Sequence, residues 1–174
     1  NYDNVVNAIR IINNQKGINI GARHISLSTS GLVPQIYKLA EENIQCTLSI
    51  SLHATTDEKR SSMMPVNKAY NLEVLLKACR DYIEKTNRRI SFEYALAKDN
   101  NDNLEDAKKL VKMLKGMICH VNLIPINKIE NGEYVKSSNE SIIKFRDYLN
   151  EHGIVATIRR ELGSDIDAAC GQLR

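Results

Sequence analysis

The residue with the most distinctive chemical surroundings in this sequence is Cys170, close to the carboxyl terminus. Its neighbours Ala168, Ala169 and Gly171 are small, so a substrate could approach the sulfur closely. The segment lacks apolar periodicity and lies near the chain end, which favours exposure. An exposed thiol here could attack an electrophile, whereas the alternative interpretation is a small, buried and inert thiol.

Two carboxylates, Asp165 and Asp167, precede this cysteine. A D-x-D spacing can present oxygens to a metal ion, but no third ligand of the EF-hand type follows. His53 also lacks a partner at metal-ligand spacing. The pattern therefore favours a role for the two aspartates in capping a turn or holding the Cys170 loop. No residue of the chain is predicted to ligate a metal.

The other three cysteines, Cys46, Cys79 and Cys119, are predicted to be structural. Cys79 falls on an apolar helical stripe, and the other two adjoin strand-like runs. The spacing forms no CxxC pair and no dense framework of the kind found in small secreted domains. A reducing cytoplasm is therefore the simplest predicted location.

The composition is that of an ordinary globular domain, with 174 residues, 43% of them hydrophobic and 26% charged. The net charge of +3 permits contact with nucleic acid without requiring it. No apolar run approaches the roughly 20 residues of a membrane-spanning helix, so no membrane association is predicted. Because the chain opens on Asn1 rather than methionine, we expect it to be a piece of a longer protein.

Strand-like and helical patterns alternate along the chain, which predicts an α/β fold. The predicted strands are 24–30, 47–54, 90–97, 120–127 and 155–160, with a weaker candidate at 18–20. The predicted helices are 3–14, 34–43, 57–64, 71–87, one beginning after Asn103 and one beginning after Ser137. Their predicted amino-terminal caps include Asp3, Asn71, Asn103 and Ser137, the last in a capping box with Glu140.

Crossovers of this length fit parallel strands joined by helices, either in an open doubly wound sheet or in part of a barrel. In both architectures ligands bind at the carboxyl ends of the strands. Neutral hydrogen-bonding residues dominate those positions, and they suit the polar groups of a nucleoside or an amino acid. The residues singled out there include Ser28, Ser51, His53 and Asn127.

Five motifs together resemble the RlmN family of radical S-adenosylmethionine RNA methyltransferases. They are Leu27–Gly31, Ile50–Ala54, Met64–Asn67, Val121–Asn127 and Asp165–Leu173. The resemblance implies a partial, TIM-like barrel of six β/α units, with residues 1–174 forming the carboxyl-terminal portion of the radical SAM core domain. The motifs that would bind the [4Fe-4S] cluster, and an accessory amino-terminal domain, are expected to precede Asn1.

The resemblance also implies the roles of individual residues. Residues matching Ser28, Ser51, Leu52, His53 and Asn127 contact S-adenosyl-L-methionine in the family. The residue matching Cys170 accepts a methyl group from one S-adenosylmethionine; a deoxyadenosyl radical from a second one then removes hydrogen from that methyl group. The resulting carbon radical adds to the adenine, and a second cysteine, absent here, releases the product through a disulfide.

The implied substrates are 23S ribosomal RNA and transfer RNA, methylated at carbon 2 of an adenine that is unstacked into the pocket. The implied partners include an electron donor such as a flavodoxin system, and the isolated fragment is expected to be inactive and prone to self-association. A Cfr-type enzyme, which methylates carbon 8, is the alternative, although Leu123–Pro125 looks more like the carbon 2 enzymes. A non-catalytic RNA-binding module is the other alternative. Lys128 stands where the family commonly has proline.

Overall fold

A computed structural model describes residues 1–126 and 134–160, which form helices and parallel strands in alternation. The helices are α1 (Tyr2–Asn13), α2 (Val33–Glu41), α3 (Asp57–Met63), α4 (Leu72–Thr86), α5 (Leu104–Leu114) and α6 (Asn139–Glu151). The strands are β1 (Ser26–Thr29), β2 (Thr47–Ser51), β3 (Ile90–Leu96), β4 (Cys119–Pro125) and β5 (Ala156–Ile158). Two 3₁₀ turns, Ala22–His24 and Pro65–Lys68, complete the set.

All five strands form one parallel sheet in the order β1-β2-β3-β4-β5. Crossovers between parallel strands are almost always right-handed, so an order that never reverses puts every crossover helix on the same face. A doubly wound sheet reverses its order and carries helices on both faces. The observed order is therefore that of a barrel segment, and it resolves the choice that the sequence pattern left open.

The two faces of the sheet differ in polarity. Along β3, Phe92 and Tyr94 are fully buried beneath the helices, while Ser91 and Glu93, which alternate with them, are only partly buried. Leu48 and Ile50 of β2 continue the buried row. The opposite side, here called the polar face, carries Ser28, Ser49, Ser51, Ser91, Glu93, His120, Asn122 and Thr157.

The helices bury apolar stripes against the sheet and against each other. Helix α2 packs on α4, and α5 packs on α6. In α4, Leu75 and Cys79 are completely buried, as their helical spacing predicts. Burying a leucine side chain such as that of Leu75 contributes about 1.5–3 kcal/mol relative to leaving it exposed. This layer fixes the sheet from one side and leaves the polar face uncovered by described helices.

Two of the predicted helix caps are confirmed. The side-chain oxygen of Asn71 accepts from the Val74 amide at 3.0 Å, and that of Asn103 accepts from the Asp106 amide at 2.9 Å. The predicted cap at Asp3 is wrong, because Asn1 is the N-cap and Asp3 lies in the first turn of α1.

The predicted cap at Ser137 is also wrong by one residue. Ser138 caps α6, and its hydroxyl accepts from the Ser141 amide at 3.1 Å. Consecutive serines offer two possible caps, and the choice depends on which one has extended backbone at the helix start. Ser137 is instead 3% exposed and directly follows Lys136, which forms an isolated bridge to Ala97 just after β3.

The chain before β1 departs from the prediction as well. Residues 18–20 form no strand, and residues 22–24 form a 3₁₀ turn, so β1 begins at Ser26 rather than at position 24. Ile18 and Ile20 are exposed and have no strand partner. In the described residues, no helix combines the length and the apolar character that crossing a membrane requires.

Candidate functional site

Three of the predicted ligand-binding residues lie at the carboxyl edge of the sheet on neighbouring strands. Ser28, in β1, is exposed and stands opposite Ser49, and Ser51 ends β2. His53 follows two residues later and is partly buried. Leu52 between them is completely buried, and its backbone groups are already used: its amide donates to the carbonyl of Glu93 at 3.0 Å, and its carbonyl accepts from Arg60 at 3.1 Å. Asn127 and Cys170 lie outside the described residues.

Register places a carboxylate directly beside Ser51 on the polar face. Glu93 of β3 pairs with Ser51 on one side and with Asn122 of β4 on the other. Its carboxylate accepts from the Asn122 amide group at 2.7 Å and from the Ser91 hydroxyl at 3.1 Å. This row offers a hydroxyl, a carboxylate and an amide to a ligand on the polar face.

The backbone at His53 adopts an uncommon conformation. Its φ is +59°, and the amide of Ala54 donates to the carbonyl of Leu52 at 2.9 Å. These features define a γ-turn with positive φ at its central residue, a rare and strained form. Strain of this kind persists only where surrounding contacts hold it. We call residues Leu52–Ala54 the His53 turn.

The imidazole of His53 is held neutral and in one tautomer. Its Nδ1 atom accepts from the Ala95 amide at 3.1 Å. Burial, and to a lesser extent the nearby Arg60 guanidinium, lowers the pKa of His53 to about 4. Because Nδ1 accepts, the neutral ring carries its proton on Nε2. His53 can therefore offer one fixed N–H donor.

Arg60, which the sequence reasoning did not single out, lies behind this edge and is completely buried. It donates to the carbonyls of Leu52 at 3.1 Å, Ser51 at 3.0 Å and Ser30 at 2.9 Å. Its remaining bond is to the side-chain oxygen of Asn67 at 3.0 Å. In the sequence it looks like an exposed basic residue of a short, charged helix, so no local signal marks it.

Asn101 holds the His53 turn from the other side and was also missed. It is completely buried, and its amide group donates to the carbonyls of His53 and Ala95, both at 2.7 Å. Its oxygen accepts from the Ala97 amide at 2.7 Å. Asn101 belongs to the Asp- and Asn-rich stretch 98–103, where composition indicates only a polar loop.

A buried ion pair supports the loops at this edge. Asp106, 1% exposed, accepts from the Thr55 hydroxyl at 2.7 Å and from the Lys59 ammonium at 2.8 Å. Thr55 directly follows the His53 turn, and Asp106 is in the first turn of α5. The pair therefore connects the segment after β2 to the helix after β3.

Comparison with known proteins matches the whole chain. A probable dual-specificity RNA methyltransferase RlmN of Caldanaerobacter subterraneus subsp. tengcongensis is 58% identical over 174 residues, which are 100% of this chain and 51% of that protein. A protein of the same name from Clostridium beijerinckii is 56% identical over 174 residues, all of this chain and 49% of that protein. The resemblance to the RlmN family is confirmed. The chain spans about half the length of these relatives.

Solved structures agree with this assignment. A radical SAM methyltransferase from Sphaerobacter thermophilus superposes with a TM-score of 0.96 at 46% identity, over 99% of this chain and 51% of that one. A domain of a pyruvate-formate lyase-activating enzyme from Bacteroides vulgatus superposes with a TM-score of 0.68, over 91% of both chains. At 16% identity the second match shows the shared α/β fold alone. No protein-family model matches the chain.

Three of the five motifs that carried the RlmN resemblance meet at the Arg60 guanidinium. Ser30 belongs to the first motif, Ser51 and Leu52 to the second, and Asn67 to the third. All four accept hydrogen bonds from Arg60. Three stretches that are separate in sequence are therefore joined by one side chain.

The burial of the other three cysteines agrees with the structural role predicted for them. Cys46 and Cys79 are fully buried, Cys119 is partly buried, and none of these three forms a disulfide. Burial raises the pKa of Cys79 to about 12 and that of Cys119 to about 11, so both remain protonated thiols near neutral pH. Within residues 1–126 and 134–160, no group of three or more His, Cys, Asp or Glu side chains could hold a metal ion.

Proposed function

We propose that residues 1–174 are the carboxyl-terminal portion of the radical SAM core domain of an RNA methyltransferase, which methylates carbon 2 of an adenine in 23S ribosomal RNA and in transfer RNA. The observation that carries the proposal is identity of 55–58% to RlmN relatives across the whole chain. The edge of the sheet suits the cofactor chemically, since it combines hydroxyls, a fixed N–H donor and a half-buried carboxylate.

In this proposal, Ser28, Ser51, Leu52, His53 and Asn127 bind S-adenosylmethionine, which is both methyl donor and radical source. Ser51 and His53 supply hydrogen bonds from their side chains, and Leu52, which is completely buried, fills the core beneath them. A [4Fe-4S] cluster, expected to be held by residues outside this chain, would supply the electron for cleavage of the cofactor, and a cytoplasmic donor such as a flavodoxin system would reduce the cluster.

Cys170 is proposed as the methyl carrier. Its sulfur would displace S-adenosylhomocysteine from one cofactor molecule and keep the methyl group; a deoxyadenosyl radical from a second molecule would remove one hydrogen from it, and the resulting carbon radical would add to the adenine. After the adduct loses one electron to the cluster and the proton of the adenine carbon, a second cysteine outside this chain would attack the Cys170 sulfur. The S–S bond would form as the S–C bond breaks, and the departing carbon would take the electron pair and a proton to become the methyl group of the base. The proposal therefore needs a cysteine whose sulfur can meet both a cofactor and an RNA base.

Substitution of Cys170 in the full-length protein tests the proposal. We expect Cys170→Ala to abolish RNA methylation, while Cys119→Ala, which removes a partly buried structural thiol, retains most of it. The measurement is mass spectrometry of nucleosides from 23S ribosomal and transfer RNA incubated with each protein. Methylation by Cys170→Ala would contradict the mechanism, 8-methyladenosine would identify a Cfr-type enzyme, and no product from the unsubstituted protein would favour an RNA-binding module.

A further inference from the structure

Arg60 extends the connection between β1 and β2 beyond the end of their ladder. The last paired residues are Thr29 and Ile50. Past that point the carbonyls of Ser30 and Ser51 both accept from the same nitrogen, Nη2 of Arg60, at 2.9 and 3.0 Å. One planar guanidinium therefore fixes the two strand ends at a point where no backbone hydrogen bond joins the described segments.

The acceptors of Arg60 are neutral, which is unusual for a completely buried cation. Its four hydrogen bonds go to three carbonyls and one side-chain amide. Removing a guanidinium from water costs several kcal/mol, and apolar residues of similar volume often stabilise a core at least as well. The distinctive contribution of Arg60 is therefore geometric, because its rigid fork sets the directions of three carbonyls at once.

The guanidinium is itself held in place by Asn67. Asn67 accepts from it and donates to the Asp57 carboxylate at 3.0 Å and to the Ser61 hydroxyl at 2.9 Å. The same Asp57 oxygen accepts from the Leu72 amide at the start of α4 at 2.8 Å. The orientation of Arg60 is thus anchored to the helix layer, and motion of the strand ends against that layer is restricted.

Arg60 makes direct hydrogen bonds to two of the predicted ligand-binding residues. Its Nη2 and Nε bind the carbonyls of Ser51 and Leu52, and the His53 turn follows immediately. We propose that Arg60 is a positioning residue for the S-adenosylmethionine site, holding the Ser51 backbone and the His53 turn in their binding conformation. This inference rests on the proposed function of residues 51–53.

Equilibrium binding of S-adenosylmethionine to the full-length, cluster-containing protein tests the proposal. Lysine keeps the charge of Arg60 but cannot reach three carbonyls as a fork. We expect Arg60→Lys to raise the dissociation constant by about 10-fold or more, since small misplacements in a site can cost up to about 100-fold. In turnover, KM for S-adenosylmethionine should rise more than kcat falls.

Arg80→Lys is the matched control, because Arg80 also donates to a backbone carbonyl, that of Met113, at an exposed site on α4. It should leave the dissociation constant unchanged. Asn67→Ala provides a second route, since it removes one acceptor of Arg60 without touching residues 51–53. We expect it to raise the dissociation constant by about 3-fold, because it removes one hydrogen-bond partner from the network that orients Arg60.

Each outcome is decisive. A folded Arg60→Lys protein, as judged by circular dichroism, that binds as tightly as the unsubstituted protein would overturn the proposal. So would failure of both Arg60→Lys and Asn67→Ala to fold, because Arg60 would then be a residue of stability. If the unsubstituted protein binds no S-adenosylmethionine, the proposed function fails and the inference fails with it; unchanged binding in the variants refutes the inference alone.

Discussion

His53 shows how single residues at this site depend on contacts made elsewhere in the chain. Its backbone is strained, and its imidazole is neutral because the surrounding protein removes water from it. Three other residues hold this arrangement: Ala95 through its amide, Asn101 through its side chain and Arg60 through the carbonyl of Leu52. The geometry of the side chain that is expected to touch the ligand therefore depends on a network of residues around it.

The lowered pKa of His53 predicts a loss of stability in mild acid. The unfolded chain binds a proton at His53 near pH 6.5, whereas the folded chain does so only near pH 4. The contribution of His53 to the free energy of unfolding is therefore fully present above pH 6.5. It is lost as the pH falls towards 4, and the loss amounts to roughly 3 kcal/mol. Urea unfolding at pH 7.0, 5.5 and 4.5 measures this loss.

His53→Asn is the matched variant, because asparagine tolerates positive φ and does not titrate. We expect its free energy of unfolding to fall less between pH 7.0 and 4.5 than that of the unsubstituted protein. Other groups titrate in both proteins, so the difference isolates His53. Parallel pH curves would show that the folded state does not suppress protonation of this ring.

The connections after the strands are the elements that build the site. Helix α3 and the 3₁₀ turn Pro65–Lys68 are inserted between β2 and α4, and they supply Arg60 and Asn67. The loop between β3 and α5 supplies Asn101. These short segments add little to the apolar core, and their polar side chains are directed at the backbone of neighbouring connections.

Gly31 is needed at the turn after β1 for two reasons. Its φ is +103°, and a Cβ there would lie 3.1 Å from Arg60 Nη2 and 3.1 Å from a Leu75 methyl group. We expect Gly31→Ala to destabilise the protein by about 2–4 kcal/mol, from backbone strain and displacement of buried groups. Chemical denaturation measures the difference.

Gly116→Ala is the matched control for Gly31. Gly116 also has positive φ, at +79°, but a Cβ there meets no atom within 4 Å. Gly116→Ala should therefore lower the free energy of unfolding only through backbone strain, by about 1–2 kcal/mol. Equal losses in the two variants would mean that the close approach of Arg60 and Leu75 is relieved without cost.

The buried carboxylate of Asp106 should contribute more to the free energy of unfolding than an exposed carboxylate of the same helix. Asp106→Asn leaves Lys59 without its ion-pair partner and weakens the bond from Thr55, so we expect a loss of about 1–3 kcal/mol. Glu105→Gln removes an exposed pair with Lys108 and should lower the free energy of unfolding much less, because solvent screens an exposed pair. Similar unfolding midpoints for the two variants would refute this ranking.

At the scale of the whole molecule, the sheet is covered by helices on one side and polar on the other. Its terminal strands, β1 and β5, each pair with one strand only among the described residues. An unpaired strand edge is a template for pairing with another chain. Within residues 1–126 and 134–160, the sheet therefore has open edges and a face that no described helix covers.

We expect the isolated 174-residue chain to self-associate through this exposed surface. Light scattering coupled to size-exclusion chromatography should show an average mass that rises with protein concentration. A full-length protein covering the same surface should remain at constant mass over that range. A constant monomer mass for the isolated chain would contradict the expectation.

The sequence by itself determined the elements and much of their order. Apolar patterns together with turn and capping signals located the five strands and six helices of the described residues, and the caps at Asn71 and Asn103 could be predicted because a cap depends on residues three positions apart. The five motifs indicated the resemblance to the RlmN family, and strand ends pointed to Ser28, Ser51 and His53. These signals are local, so they survive in the unfolded chain.

The tertiary structure decided what depends on residues distant in sequence. Strand order, which distinguishes a barrel segment from a doubly wound sheet, is set by which strands pair. Arg60 binds a carbonyl 30 positions away, and Asn101 binds one 48 positions away; no periodicity or spacing records such contacts. The strained turn and the low pKa of His53 have the same origin, because both arise from burial and from partners that only folding brings together.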